Sequence, residues 1–371
     1  MRVLVLNAGS STLKASVIDH PHHDPIFADT LVWGADASRT AGRAGAINRL
    51  LEALVVEGIP VGSLEAVGHR VVHGGERFGR PTVLDESVVA ELEALSPLAP
   101  LHNPVAVETI RLALAALPGV PHVAAFDTGF HASLPREARA YALPHAWVDA
   151  HGIRRYGFHG LSVIWSVLRA AELLEAPGGS LRLVVAHLGS GCSVTAVDGH
   201  RSVSTSMGMT PLEGLVMGTR AGSVDPGILL RLLAAGVPAD DLADGLDHRS
   251  GLLGLSGTAD MRELLARAAG GDERAALAVD VFVARAAEGI AAAATSLPTL
   301  DAVVFTAGIG ERSAEVRERI CARLAVLGLP TGLGATDVDA VLSADGVRPA
   351  VVRVAAREDL VIAQATATLA G

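Results

Sequence analysis

Two stretches of this chain, one in each half, spell the same local structure. Residues 2–19 run from an apolar stretch through Asn7-Ala-Gly9-Ser10-Ser11-Thr12-Leu-Lys14 into a second β-prone stretch. Residues 182–198 do the same through His187-Leu-Gly189-Ser190-Gly191-Cys192-Ser193. Each predicts a hairpin with a Gly/Ser turn, and Asn7 aligns with His187 as Gly9 does with Gly189. One such hairpin per half predicts two α/β lobes. Two small-residue turns can also hold a polyphosphate from both sides, which points to a nucleotide enzyme.

Composition sets the outer bounds. At 371 residues, half of them hydrophobic, the chain is long enough for two cores. Aromatics are only 3%, so Ala, Val and Leu must build those cores. A net charge of −10 argues against nucleic acid or an anionic membrane as the main partner. Arginine supplies every basic residue but Lys14, which reads as genome composition before chemistry. Two cysteines, Cys192 and Cys321, make no disulfide framework and suit a reducing cytoplasm. The apolar run before Asn7 is too short for a signal peptide. The Ala-rich stretch 284–310 is interrupted by Arg285, Glu288, Pro298 and Asp301, a poor membrane span.

Along the first half, strands are expected at 3–6, 15–18, 66–72 and 122–126, with helices at 45–58, 86–95 and 105–117. The segment 20–41 reads as an irregular polar loop; its His20, His22 and His23 fit a solvated loop better than a metal site. In the second half a helix is expected at 162–174, then the repeated hairpin, a glycine-punctuated loop at 207–220, and helices at 226–235, 260–267 and 272–296. A strand at 303–306 enters a glycine turn at 307–311, followed by a helix at 314–327. A last strand at 350–354 and a last helix at 359–369 close the chain. Strands alternating with helices, given twice, mean two α/β lobes.

Several patterns carry chemistry. The 7–12 turn brings backbone N–H groups and hydroxyls towards phosphate oxygens, although Lys14 lacks the glycine context of a Walker A loop. The turn at 189–193 repeats the device. Gly308-Ile309-Gly310, between a strand and a helix, suits close approach to an adenosine or its α-phosphate. Arg70 and Val72 alternate onto one strand face, pairing a guanidinium with an apolar side chain, as a small alkyl carboxylate would require. His69 and His73 share the i, i+4 spacing of metal ligands but lack a third partner. Arg220 sits in a glycine-flanked loop. Asp127 ends a strand, where open α/β sheets keep their ligands. His159 follows an aromatic, and Glu358 follows the last strand.

Taken together, 7–14, 68–76, 100–104, 126–131, 156–160, 187–193, 207–222, 306–311 and 358–363 resemble the acetate kinase family, within the superfamily of sugar kinases, heat-shock chaperones and actin. The resemblance implies a two-lobed, duplicated ribonuclease-H-like α/β fold, with 1–130 plus 359–371 in one lobe and 131–358 in the other. It implies reversible transfer of the ATP γ-phosphoryl group to acetate with Mg²⁺ (or Mn²⁺), ATP and ADP acting as substrates. Arg70 and Arg220 would bind the acetate carboxylate and the moving phosphoryl group, and would converge on one point. His159 would bond that group, and Asp127 would orient the arginine or organise metal and water. Asn7 and Glu358 would serve the metal and phosphates. Lys14, Ser10, Ser11, Thr12, His187, Gly189, Ser190 and Gly191 would hold phosphates, and Asp260, Met261, Arg262, Gly308, Ile309 and Gly310 the adenosine. Val72, Leu101, Phe158 and Pro211 would surround the acetate methyl.

A homodimer in the cytoplasm is implied, with no nucleic-acid or membrane partner. The chain departs from the family pattern at Ser190, usually Asn, at Val163, usually His, and at Ser223, usually Asp. A propionate or other short-chain acyl kinase is the neighbouring alternative. An ATP-dependent chaperone-like switch is the alternative from another class, though it would not need Arg70 among Val72, Leu101 and Phe158.

Overall fold

The structure, a computed structural model, describes residues 1–9, 12–32 and 40–371; Ser10 and Ser11 lie outside the described residues. Its two sheets are built on one plan. In the first, β1 (Arg2–Ala8) and β2 (Thr12–Asp19) pair antiparallel, and β3 (Phe27–Val32) continues the meander. Then β4 (Ala66–Val71) pairs parallel with β1, and β6 (His122–Phe126) parallel with β4. The two-residue β5 (Thr82–Val83) runs antiparallel on the edge, giving the order β3-β2-β1-β4-β6-β5.

The second sheet repeats this. β7 (Arg182–Leu188), β8 (Cys192–Asp198) and β9 (Arg201–Thr205) form the meander. β10 (Ala302–Thr306) and β12 (Ala350–Arg353) add in parallel, and β11 (Ala340–Val341) is the antiparallel edge. The order is β9-β8-β7-β10-β12-β11. Both hairpins pair antiparallel about their Gly/Ser turns, Asn7 opposite Lys14 and His187 opposite Ser193, so the second turn is one residue tighter. The fold is thus α/β, duplicated and ribonuclease-H-like.

The chain divides into two units. One comprises Met1–Ala132, Phe158–Leu161 and Arg357–Gly371; the other comprises Ser133–Gly157 and Ser162–Ala356. Relative to the expected lobes, this division places 131–132, 158–161 and 357–358 with the first unit. Backbone bonding accounts for the excursion: Gly160 N–H donates to Asp127 O at 2.8 Å, and His131 Nε2 lies 2.9 Å from Phe158 O.

Packing in the first unit is aliphatic. Leu4, Leu6, Leu13 and Val17 meet Ile47, Leu50 and Leu54 of the Thr40–Val56 helix. The last helix, Glu358–Ala370, lies on β1, β4 and β6. Gly68 permits this, since a Cβ there would stand 2.6 Å from both Ile362 Cγ2 and Thr366 Oγ1. In the second unit the Glu273–Ala294 helix lies on β7 and β8 and buries Val279, Phe282, Val283 and Ile290. Asp272 caps it by accepting from the Arg274 and Ala275 amides.

Two expectations are corrected. The supposed loop 20–41 contains β3, whose residues are mostly exposed and so show no core-facing alternation. The glycine turn at 307–311 is instead a short helix, Ala307–Arg312. Its C-terminal carbonyls need partners, and buried Arg317 supplies them: Nη1 donates to Gly310 O at 2.9 Å and Glu311 O at 2.8 Å.

Candidate active site

The first unit gathers four of the expected residues. Asn7 stands near the end of β1, Arg70 near the end of β4, Asp127 just after β6, and Glu358 at the start of the last helix. Parallel strands place β4 and β6 side by side, and Asp127 N–H donates to Val71 O at 3.1 Å. The Arg70 guanidinium then clasps Asp127: Nε lies 3.1 and 3.2 Å from the two carboxylate oxygens, and Nη2 lies 2.6 Å from Oδ2. Nη1 donates to Asn7 Oδ1 at 3.2 Å and lies 3.4 Å from Glu358 Oε2. Asn7 Nδ2 donates to Glu358 Oε2 at 3.4 Å.

Asp127 is almost sealed, at 2% side-chain exposure, whereas Arg70 keeps 21%. Burial alone would depress the Arg70 guanidinium, but the charges of Asp127 and Glu358 outweigh it and raise its pKa above the usual arginine value. One cation against two carboxylates leaves the cluster formally short of positive charge. A fork held this firmly on one side presents its remaining edge in a fixed direction.

His159 belongs to the same unit and takes a left-handed backbone, φ +60°, one residue before Gly160 is pinned to Asp127. Such a conformation in a non-glycine residue is kept by its surroundings and often marks a functional position. His131 is fully buried, and burial pushes it down to about 4 against the opposing bond to Phe158 O. His69 and His73 share no ligand. His69 Nε2 lies 3.0 Å from His122 Nδ1, and His73 Nδ1 accepts from Gly75 N–H at 3.0 Å.

Of the apolar residues expected around a methyl group, Val72 is half-buried and just past β4. Phe158 is buried, 1% exposed, with its ring edge-on to His73, while Leu101 is 43% exposed. Lys14 is exposed, and Thr12 O accepts the Gly9 amide at 2.7 Å to close the first turn.

The second unit gathers the other set. Gly189 N–H donates to Gly191 O at 3.1 Å, closing the second turn, and Ser190 O accepts from Gly218 N–H at 3.0 Å. A Cβ on Gly189 would lie 3.4 Å from Ala307 Cβ, and one on Gly218 would lie 3.5 Å from Ala259 Cβ. The second hairpin turn therefore meets the glycine helix and the arginine loop, and the arginine loop in turn meets Ala259, just before Asp260. Within this set Gly308 is exposed, Ile309 half-buried and Gly310 buried. Asp260 caps the Met261–Ala269 helix and ion-pairs with Arg262 at 2.7 Å; those bonds pull its carboxyl down to about 2.

Arg220 is anchored by Nη1 donating to Pro211 O at 3.3 Å, with Asp247 3.7 Å from Nε. Burial lowers its pKa, opposed by Asp247. Ser223 Oγ accepts from Gly214 N–H at 3.2 Å, and Ser223 donates its own N–H to Gly214 O at 2.9 Å. These two bonds close the loop on itself.

Sequence reasoning missed two neighbours. His187 Nδ1 lies 2.8 Å from Ser162 Oγ. Thr306, in register with His187, buries an Oγ1 that lacks a hydrogen-bond partner among the described residues. The strand-end position of Thr306 was the available signal.

Among the described residues no cluster of three or more His, Cys, Asp or Glu is arranged for a metal, and no helix is long and apolar enough to cross a membrane.

Comparison with known proteins gives a concordant result. The model of the acetokinase family matches residues 2–364. An acetate kinase from Deinococcus deserti is 45% identical over 397 aligned residues, covering 99% of this chain and 97% of that protein. The crystal structure of Porphyromonas gingivalis acetate kinase superposes with a TM-score of 0.89 at 33% identity, covering 99% of both chains. A propionate kinase structure from Francisella tularensis subsp. tularensis SCHU S4 does so with a TM-score of 0.88 at 34% identity and the same coverage. The fold and these likenesses define a phosphotransferase of the kinase class. The chain belongs to the acetokinase family.

Proposed function

We propose that this chain moves the γ-phosphoryl group of ATP to acetate, reversibly, giving acetyl phosphate and ADP. The observation that carries the reading is the Arg70 fork, gripped by Asp127 and bordered by Asn7 and Glu358. Acetate has a carboxyl pKa of about 4.3, by analogy with glutamate, so it is already an anion near neutral pH and needs no general base. The obstacle is bringing one anion to another, and cations with fixed directions reduce it. In this reading Arg70 holds the acetate carboxylate, and Arg220 stabilises the phosphoryl group in flight. His159 donates a hydrogen bond to that group. Asp127 keeps the Arg70 fork in orientation rather than accepting a proton.

The oxygen donors of Asn7 and Glu358 suit Mg²⁺, which takes one or two carboxylates together with phosphate oxygens and water. Mg²⁺, when bound with ATP, would neutralise charge on the β- and γ-phosphates. The nucleotide would lie along Gly189–Gly191, Asp260–Arg262 and Gly308–Gly310.

Incubating the protein with MgATP and a single carboxylic acid, and trapping acyl phosphate with hydroxylamine, tests the reading. Acetyl hydroxamate is the expected product. ATP turnover that ignores every short carboxylate would refute it in favour of an ATP-driven switch. Propionate is the second substrate to assay, because the Francisella propionate kinase is so similar in structure. One methylene discriminates by only about 1–3 kcal/mol, so a preference of 10- to 200-fold either way decides the name of the substrate.

We also propose a cytoplasmic homodimer. The Pro226–Ala234 helix leaves Ile228, Leu230 and Leu233 exposed, at 51%, 68% and 43%, an unusual run of apolar surface for a helix left in water. Sedimentation should find a dimer that Leu230→Asp converts to monomer. A monomeric wild-type protein would overturn the assembly.

A further inference from the structure

The loop 207–222 carries both Pro211 and Arg220 and contains no helix or strand. Three side chains from separate segments hold it. Glu213, within the loop, accepts from Arg155 Nη2 at 2.6 Å through Oε1 and from the Tyr141 hydroxyl through Oε2. Arg155 Nη1 donates to Ser206 O at 3.1 Å and Met207 O at 2.8 Å, where the loop begins. Tyr141 Oη in turn accepts from Met209 N–H at 3.0 Å, and its ring lies 5.3 Å beneath the Arg155 guanidinium.

The backbone reinforces the clasp. Gly208 O accepts from the Tyr156 amide at 3.0 Å and the Gly157 amide at 3.3 Å. A Cβ on Gly208 would collide with Glu213 Oε2 and Tyr141 Oη. Behind the loop is a cavity of about 430 Å³, lined in part by Arg155, Glu213, Gly214, Leu215 and Gly289. It leaves room for the loop to relax if the clasp is cut.

We propose that Tyr141, Arg155 and Glu213 are positioning residues that fix the loop so that Arg220 points along the phosphoryl path. Resting on the kinase reading above, this assigns a task to three residues outside the set that would touch substrate. Glu213 is two residues from Pro211, whose carbonyl takes the Arg220 Nη1 bond, so a slack clasp frees the guanidinium directly. Displacing a catalytic group by about 1 Å costs about 10²-fold in rate.

Glu213→Gln keeps the side-chain size and removes the charge that both partners need. The expected result is a kcat lower by about 10²-fold with the KM for acetate and ATP changed far less. In an Arg220→Ala background the same substitution should change kcat by less than about twofold, because the clasp acts through Arg220. Equal losses in both backgrounds would overturn the proposal. Hydrogen exchange provides a readout independent of activity: amides of 207–222 should exchange faster in Glu213→Gln, and unchanged protection would also overturn it. If the wild-type protein makes no acyl phosphate, the kinase reading fails, while the exchange measurement still judges the clasp. Tyr141→Phe, which loses one arm only, should show the same pattern more weakly and serves if Glu213→Gln does not fold.

Discussion

Alanine in place of Arg220 should lower kcat for acetyl phosphate formation by about 10³–10⁵-fold, the range lost when an arginine that stabilises a moving phosphoryl group is removed. The guanidinium is anchored through Pro211 O, and Asp247 lies 3.7 Å away, so the side chain is held without being fully neutralised. Affinity for ATP should change little, because the substitution leaves in place Gly189, Ser190 and the Ala307–Arg312 helix, where the nucleotide is proposed to lie. Arg220→Lys should recover little, since an ammonium group cannot supply two coplanar N–H bonds. Retention of activity within tenfold of wild type in either variant, measured as acetyl hydroxamate, would remove Arg220 from the reaction.

Arg70→Ala should fail in two ways at once. Activity should be lost with the fork proposed to hold acetate. Stability should also fall by about 3–5 kcal/mol, because Asp127 remains buried with its counter-charge gone. The two losses separate in the double variant Arg70→Ala/Asp127→Ala. Removing both members of a buried pair costs far less than removing one, so the double variant should denature closer to the wild type in urea yet remain inactive. Full stability in the single Arg70→Ala protein would mean that the clasp seen between these residues contributes nothing to the fold.

How much of this was legible in the chain follows from distance along it. The hairpins were readable because a β1–β2 or β7–β8 pair is local, with its glycine turn between two apolar runs. Buried strands such as β6 and β10 announce themselves by continuous apolar residues. The strands β3, β5, β9 and β11 did not. They are short or exposed sheet margins, held by backbone bonds rather than by a core-facing pattern. The Ala307–Arg312 helix was hidden because its glycines argue for a turn, and the Arg317 side chain that satisfies its end is contributed by the next helix.

The site divides in the same way. Arg70 and Asp127 were visible as charged residues at strand ends, but their pairing depends on β4 and β6 being neighbours. Glu358 reaches Arg70 from the far end of the chain, and only the family resemblance placed both residues in one site. The Tyr141–Arg155–Glu213 clasp had no sequence signature, because its three members come from segments with no shared motif.

The proposed transfer requires one acid and one phosphoryl group to be served by both Arg70 and Arg220. A crystal structure of the protein with MgADP, aluminium fluoride and acetate, which imitates the phosphoryl group midway in transfer, tests that directly. Both guanidinium groups should lie within hydrogen-bond distance of the fluoride or the acetate oxygens. A fully occupied complex in which either arginine makes no contact with them would contradict it.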